Sequence, residues 1–147
     1  NGLKMENLDP SYIGEGMYKE NILDHYKHPH NHGTIESADI KHTENNPLCG
    51  DVITITLKLT GHKVKDVKFI GRGCAISQAA ISMLTEELKG KPIIEIMKVK
   101  KEDVLAVLGI DIAPMRIKCA MLGLRVLQRG ILKFEGKDTQ SISLSET

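Results

Sequence analysis

Three cysteines, Cys49, Cys74 and Cys119, are the residues of this chain best suited to chemistry. An odd number of thiols cannot all pair with one another. Without an export signal such a set points to thiol or metal chemistry rather than a disulfide framework. Cys49 lies in the turn sequence Asn45-Asn46-Pro47-Leu48-Cys49-Gly50-Asp51, where Pro47 and Gly50 favour a tight reversal that can aim Cys49 and Asp51 at a common point. Cys74 follows Gly71-Arg72-Gly73 and opens a helix, a position that favours the thiolate, the form that attacks electrophiles and binds metal. Cys119 falls near the start of another helix beside Arg116 and Lys118, whose positive charge acts in the same direction. Three soft sulfurs with one carboxylate make a tetrahedral donor set for Zn²⁺ or for the iron of an Fe–S cluster. The plainer alternative is three separate buried cysteines acting as small apolar side chains. No C-x-x-C pair is present, so the fold must bring the donors together.

The elements that would do so follow from periodicity. Tyr18, Ile22 and Tyr26 recur at helical spacing between Met17 and Lys27, and Pro29 and Gly33 close that helix. His28, His30 and His32 alternate in the turn-rich segment that follows; with no acidic or cysteine ligand among them, they read as a helix-ending loop. From Val52 to Leu59 the pattern alternates, with Ile53, Ile55, Leu57 and Leu59 on one face. Thr60-Gly61-His62-Lys63 supplies a turn into a second strand, Val64 to Ile70, and Ile35 to Thr43 adds a third antiparallel strand. After Gly73 the period becomes helical from Ile76 to Leu88, then in two short helices (Ile93 to Met97, Lys101 to Leu108) and a long one from Pro114 to Leu132. Strands first and helices second predict an α+β domain, a small antiparallel sheet of about three strands packed on one side by helices. The expected organisation is a flexible segment 1–16, one domain over 17–135 and a flexible polar tail 136–147.

Composition narrows the function classes. A net charge of +1 argues against a polyanion partner held by bulk electrostatics, so no nucleic acid is expected. The lysine-rich stretches Lys58 to Lys68 and Lys98 to Lys101 read as solvated faces. No apolar run approaches the ~20 residues of a spanning helix, so no membrane partner is expected. Thiol chemistry without a secretory signal gives the expectation of a cytoplasmic protein.

Four segments, in order, resemble signatures of the IscU/SufU/NifU N-terminal family of iron–sulfur cluster assembly scaffolds. They are Tyr18-Lys19-Glu20-Asn21-Ile22-Leu23-Asp24-His25-Tyr26, Asn46-Pro47-Leu48-Cys49-Gly50-Asp51, Gly71-Arg72-Gly73-Cys74-Ala75-Ile76-Ser77 and Arg116-Ile117-Lys118-Cys119-Ala120. The resemblance runs from about Tyr18 to Leu132, and four ordered motifs are far more specific than any one. It implies that Cys49, Cys74 and Cys119, with Asp51 as a labile ligand, hold a transient cluster, [2Fe-2S] in type, or Zn²⁺ in the isolated protein. It implies further that a cysteine desulfurase delivers persulfide sulfur to one of the cysteines, that recipient apo-proteins take the product, and that the chain is a monomer or weak oligomer. A carboxylate is a harder ligand than a thiolate and so suits release.

The subtype features point two ways. Lys118 stands where IscU proteins commonly carry histidine, and Ile112-Ala113-Pro114-Met115-Arg116-Ile117-Lys118 differs from the Leu-Pro-Pro-Val-Lys stretch of IscU; both resemble SufU. The insertion typical of SufU between the second and third cysteines is absent. The expected function is therefore a scaffold and carrier without turnover of its own, with a zinc-dependent sulfurtransferase as the alternative. Arg116 and Lys118 are expected in supporting roles near the sulfurs.

Overall fold

Strand β2 (Asp51–Thr60) organises the domain because its alternation leaves one row apolar: Ile53, Ile55 and Leu57 are fully buried. In this computed structural model, which describes residues 10–47 and 50–137 with side chains from Lys19 onward, β2 pairs antiparallel with β1 (Ile40–Asn46) and β3 (Lys63–Arg72). The strands form a meander in the order β1-β2-β3. A register shift between Lys58 and Leu59 breaks the alternation, so Leu59 is only partly buried, unlike the three residues before it in the row.

The third strand lies later in the chain than the apolar pattern indicates, over Ile40–Asn46 instead of Ile35 to Thr43. Its inward row is Ile40, His42, Glu44 and Asn46, too polar to read as a core face. The residues before it are engaged elsewhere: the Gly33 N–H donates to the Phe69 carbonyl, and the Ile35 N–H donates to Thr56 Oγ1. Residues 31–33 thus run along the free edge of β3, where they blunt an open strand edge, and the chain then reaches Thr56 of β2.

The helices are α1 (Pro10–Lys27), α2 (Ala75–Leu88), α3 (Ile93–Lys98), α4 (Lys101–Leu108) and α5 (Pro114–Phe134). Helix α1 starts at Pro10, ahead of the Met17 that periodicity suggests; proline is well suited to a first helical position. Pro114 occupies the same position in α5. Helix α5 packs on β1 and β2, and α2 packs on α5, β3 and α1. Leu122 and Leu127 of α5 and Ile81 of α2 are completely buried, each a side chain whose truncation to alanine costs about 2–5 kcal/mol. The α2–α5 approach is close enough that a Cβ on Gly123 would lie 3.0 Å from Ile81 Cβ. Among the described residues no helix is long and apolar enough to cross a membrane.

Candidate functional site

The site forms where the sheet's inward rows end. Asp51 opens β2 on the same face as Ile53 and Ile55, yet it carries a carboxylate and is almost fully buried (1% exposed). Its cross-strand partner on β1 is Asn46, also buried, with the reversal containing Cys49 between them. The Gly50 N–H donates to the Asn46 carbonyl and Gly50 takes a left-handed φ of 72°, which glycine adopts without steric cost. Leu48 and Cys49 themselves lie outside the described residues.

On the other side of β2 the inward row of β3 runs out through Gly71 toward Gly73. Both places must lack side chains. A Cβ on Gly73 would run into the Asp51 carboxylate, and one on Gly71 would meet the Val52 carbonyl at 2.6 Å. Gly73 also adopts φ 147°, which side chains rarely permit. The carboxylate thereby lies against backbone, and Asp51 Oδ1 accepts the Cys74 N–H at 3.0 Å. Cys74 is the N-cap of α2 but makes no side-chain cap bond. The exposed amide charge of a helix start is met instead by a carboxylate from a neighbouring strand.

Cys74 Sγ lies 3.6 Å from Asp51 Oδ2. Cys119 enters from α5, 2% exposed, with Asn46 Nδ2 4.0 Å from its sulfur. The ligand-capable atoms of Asp51, Cys74 and Cys119 all lie within 4.8 Å of one another, and both sulfurs are thiols. This donor set suits a thiophilic, tetrahedral ion, and Zn²⁺ or iron fits it on chemical grounds. Cys74 is half-buried and therefore the more accessible of the two thiols.

The expected supporting residues are placed differently. Arg116 is exposed on the first turn of α5 and Lys118 is half-buried, and among the described residues neither makes an ion pair. Asn46, in contrast, lies against a site sulfur, and the sequence showed it as part of a turn and of a family signature without giving it a role. Its signal was register, since the residue opposite Asp51 across a short reversal must share its face. Beyond Asn46 the β1 row stays polar: Glu44 accepts from Arg129 Nη1 at 3.1 Å, and His42 Nε2 is 2.7 Å from Glu44 Oε2. Arg125 adjoins them, its guanidinium held below the ordinary arginine range by burial, which Glu44 partly offsets.

An α+β domain whose sheet, α2 and α5 present two thiols and a carboxylate at one point defines a class of sulfur-rich metal-handling proteins. The profile of the NifU-like N-terminal domain family matches residues 17–141, and the chain belongs to that family. It is 39% identical over 137 residues to the zinc-dependent sulfurtransferase SufU of Bacillus subtilis (82% of this chain, 92% of that protein). It is 36% identical over 130 residues to the iron–sulfur cluster assembly scaffold protein IscU 1 of Archaeoglobus fulgidus (88% of this chain, 84% of that protein). A crystal structure described as an iron–sulfur cluster assembly scaffold for the SUF system, from Fervidobacterium islandicum, superposes with a TM-score of 0.69 at 32% identity. That superposition covers 80% of this chain and 98% of the other.

Proposed function

We propose that this protein is an iron–sulfur cluster assembly scaffold, holding a transient cluster between Cys49, Cys74, Cys119 and Asp51 and passing it to apo-proteins. The observation that carries the reading is the convergence of Asp51, Cys74 and Cys119 from three elements within 4.8 Å, with a carboxylate set among sulfurs. A store built for permanence would use thiolates throughout; a carboxylate is the poorer partner for iron that already has sulfide and thiolate ligands.

Sulfur enters by exchange. A cysteine thiolate of the scaffold attacks the terminal sulfur of a persulfide on a cysteine desulfurase, forming a new S–S bond as the donor's breaks and its thiolate leaves. The accessible Cys74 is the better placed acceptor of the two described thiols. Each sulfane sulfur then needs two electrons from an external reductant to become the sulfide of a [2Fe-2S] cluster. Asp51, anchored on the Cys74 amide, can exchange that hydrogen bond for a metal bond and back, which gives the site a built-in release step. Arg116 and Lys118 supply positive charge at the rim of the α5 start, where an acidic partner surface would approach.

The alternative, a zinc-dependent sulfurtransferase, draws on the 39% identity to the Bacillus protein of that name. Zinc bound by these donors would hold the thiols as thiolates and keep the accepting sulfur sequestered until ligand exchange. The Archaeoglobus scaffold matches at 36% identity over a larger share of this chain, so the sulfurtransferase is not the better supported of the two readings.

The test is anaerobic reconstitution of the protein as purified with iron, cysteine and a cysteine desulfurase, followed by metal content, visible absorption and activation of an apo-ferredoxin. Cluster absorption that decays as the acceptor gains activity is the expected result. Retained zinc, no cluster and a strongly stimulated desulfurase would instead establish the sulfurtransferase.

A further inference from the structure

A second group of metal-binding side chains lies outside the sulfur site, on the face of α2 that receives α1. His25 near the end of α1, His30 in the following link and Glu86 of α2 place their ligand-capable atoms within 4.8 Å of one another. His25 is 5% exposed, an unusual position for an imidazole that makes no contact with the sulfur site. Its Nδ1 lies 2.7 Å from Ser82 Oγ, and the same hydroxyl accepts the His30 N–H at 2.8 Å. One buried serine therefore fixes both the His25 ring and the backbone of His30. The rings pack with centroids 4.4 Å apart at 34°. His30 Nδ1 lies 2.6 Å from Glu86 Oε2, while His25 Nε2 stands 3.8 Å from Glu86 Oε1, too far for a hydrogen bond.

We propose that His25, His30 and Glu86 form a second metal site, for a borderline divalent ion of the Zn²⁺ type. Two imidazoles and a carboxylate are the donors such ions prefer, and the set contains no sulfur. With the proton on Nδ1 donated to Ser82, His25 turns its Nε2 lone pair toward Glu86, the arrangement in which a second hydrogen bond orients a metal-bound histidine. Burial, reinforced by His30, holds the His25 imidazole below its ordinary range despite the attraction of Glu86 and Asp24. Two donors on one tetrahedral ion lie about 3.3 Å apart given metal–ligand bonds near 2.0–2.1 Å. Glu86 and His30 can close the remaining gap because their side chains are 47% and 41% exposed. The same exposure gives an ion its route in and leaves room for water as the fourth ligand.

The ion would tie together three parts of the chain: the end of α1, the link that follows it and the last turn of α2. The link is already fastened to β3, with the Phe69 N–H donating to the Asn31 carbonyl. Helix α2 carries Cys74 at its other end, so a metal here stiffens the support of the sulfur site without touching it.

The experiment is an anaerobic titration of the full chain with Co²⁺, monitoring thiolate-to-cobalt charge transfer, alongside a Zn²⁺ count after gel filtration. Two equivalents per chain are expected, only one of them raising the charge-transfer band. His30→Ala and Glu86→Gln, changes at a half-buried and an exposed position, should each lower the count to one and leave that band unchanged. They should also abolish the part of the zinc-induced rise in Tm that the second equivalent causes. Metal-free melting of each variant establishes that it folds; should His30→Ala not fold, Glu86→Gln decides. A single equivalent in the wild-type protein, or retention of the second in a folded variant, would overturn the proposal. Either result leaves the reading of the sulfur site intact, since the charge-transfer band reports on that site alone.

Discussion

Helix α2 serves two clusters that handle ligand-capable groups in opposite ways. At its N-terminus Cys74 meets Asp51 and Cys119, groups drawn from elements far apart in the chain. Two to three turns further along, Ser82 and Glu86 meet His25 and His30, two residues from one short stretch. In the sulfur cluster the carboxylate is buried and held by a backbone amide, while Cys74 is half open. In the histidine cluster the carboxylate is half exposed and one imidazole is buried. Soft donors around a confined carboxylate suit cargo that must be assembled and released. Borderline donors around a mobile carboxylate suit an ion that joins elements together. One helix can support both because its rigid backbone keeps them apart.

The largest expected effect separates the two clusters outright. Cys119→Ser should abolish cluster formation in the anaerobic reconstitution, because a buried hydroxyl is a poor ligand for iron and Cys119 is the donor supplied by α5. His30→Ala should leave cluster yield unchanged. If His30→Ala also removed the cluster absorption while melting normally, the two clusters would not be independent.

Asp51→Ala should act on lifetime rather than yield. The cluster should form, persist longer and pass to apo-ferredoxin on the order of tenfold more slowly, a change that corresponds to about 1.4 kcal/mol of tighter holding. Transfer kinetics unchanged from wild type would remove Asp51 from the release step. Gly73→Ala tests how the carboxylate is seated. The added methyl meets Asp51 and the backbone is held at φ 147°, so a loss of about 1–3 kcal/mol in urea unfolding is expected. Combining it with Asp51→Ala should recover the part due to the clash and leave the part due to φ, and full additivity would show that the two do not touch.

What could be read from the sequence divides along the same line. Cysteine is scarce and its chemistry narrow, so Cys74, Cys119 and the neighbouring Asp51 stood out before any fold was known. The alternation of Ile53, Ile55 and Leu57 likewise gave β2, and the helical spacing of Leu124, Leu127 and Ile131 gave α5. Strand β1 was misplaced because after Ile40 its inward row is His42, Glu44 and Asn46, polar residues half-buried or buried by pairing with each other and with α5. The histidine cluster was hidden for a similar reason. His28, His30 and His32 alternate in one short segment, but the carboxylate that joins His30 arrives from α2, which only the packing of α1 on α2 can bring. Pattern reading finds what is local or chemically rare; common polar residues acquire a role only through tertiary contact.

The smallest expected effect concerns His25 without metal. Its folded-state proton affinity is lowered, chiefly by burial and then by His30, from the ordinary value near 6.5. Above about pH 6.5 neither the folded nor the unfolded chain carries a proton there, and the residue adds no pH dependence. As pH falls through that value the unfolded chain takes up a proton that the folded chain refuses. The unfolded state then binds more protons, so stability declines with falling pH. The decline ends once pH passes below the lowered folded value and both states are protonated. In chelator-treated protein, urea unfolding at pH 7.5 and 5.5 should therefore show a loss at the lower pH that is smaller in His25→Gln. An equal loss in the two proteins would mean that His25 takes up its proton as readily folded as unfolded. The ring would then not be desolvated as its position under α2 requires.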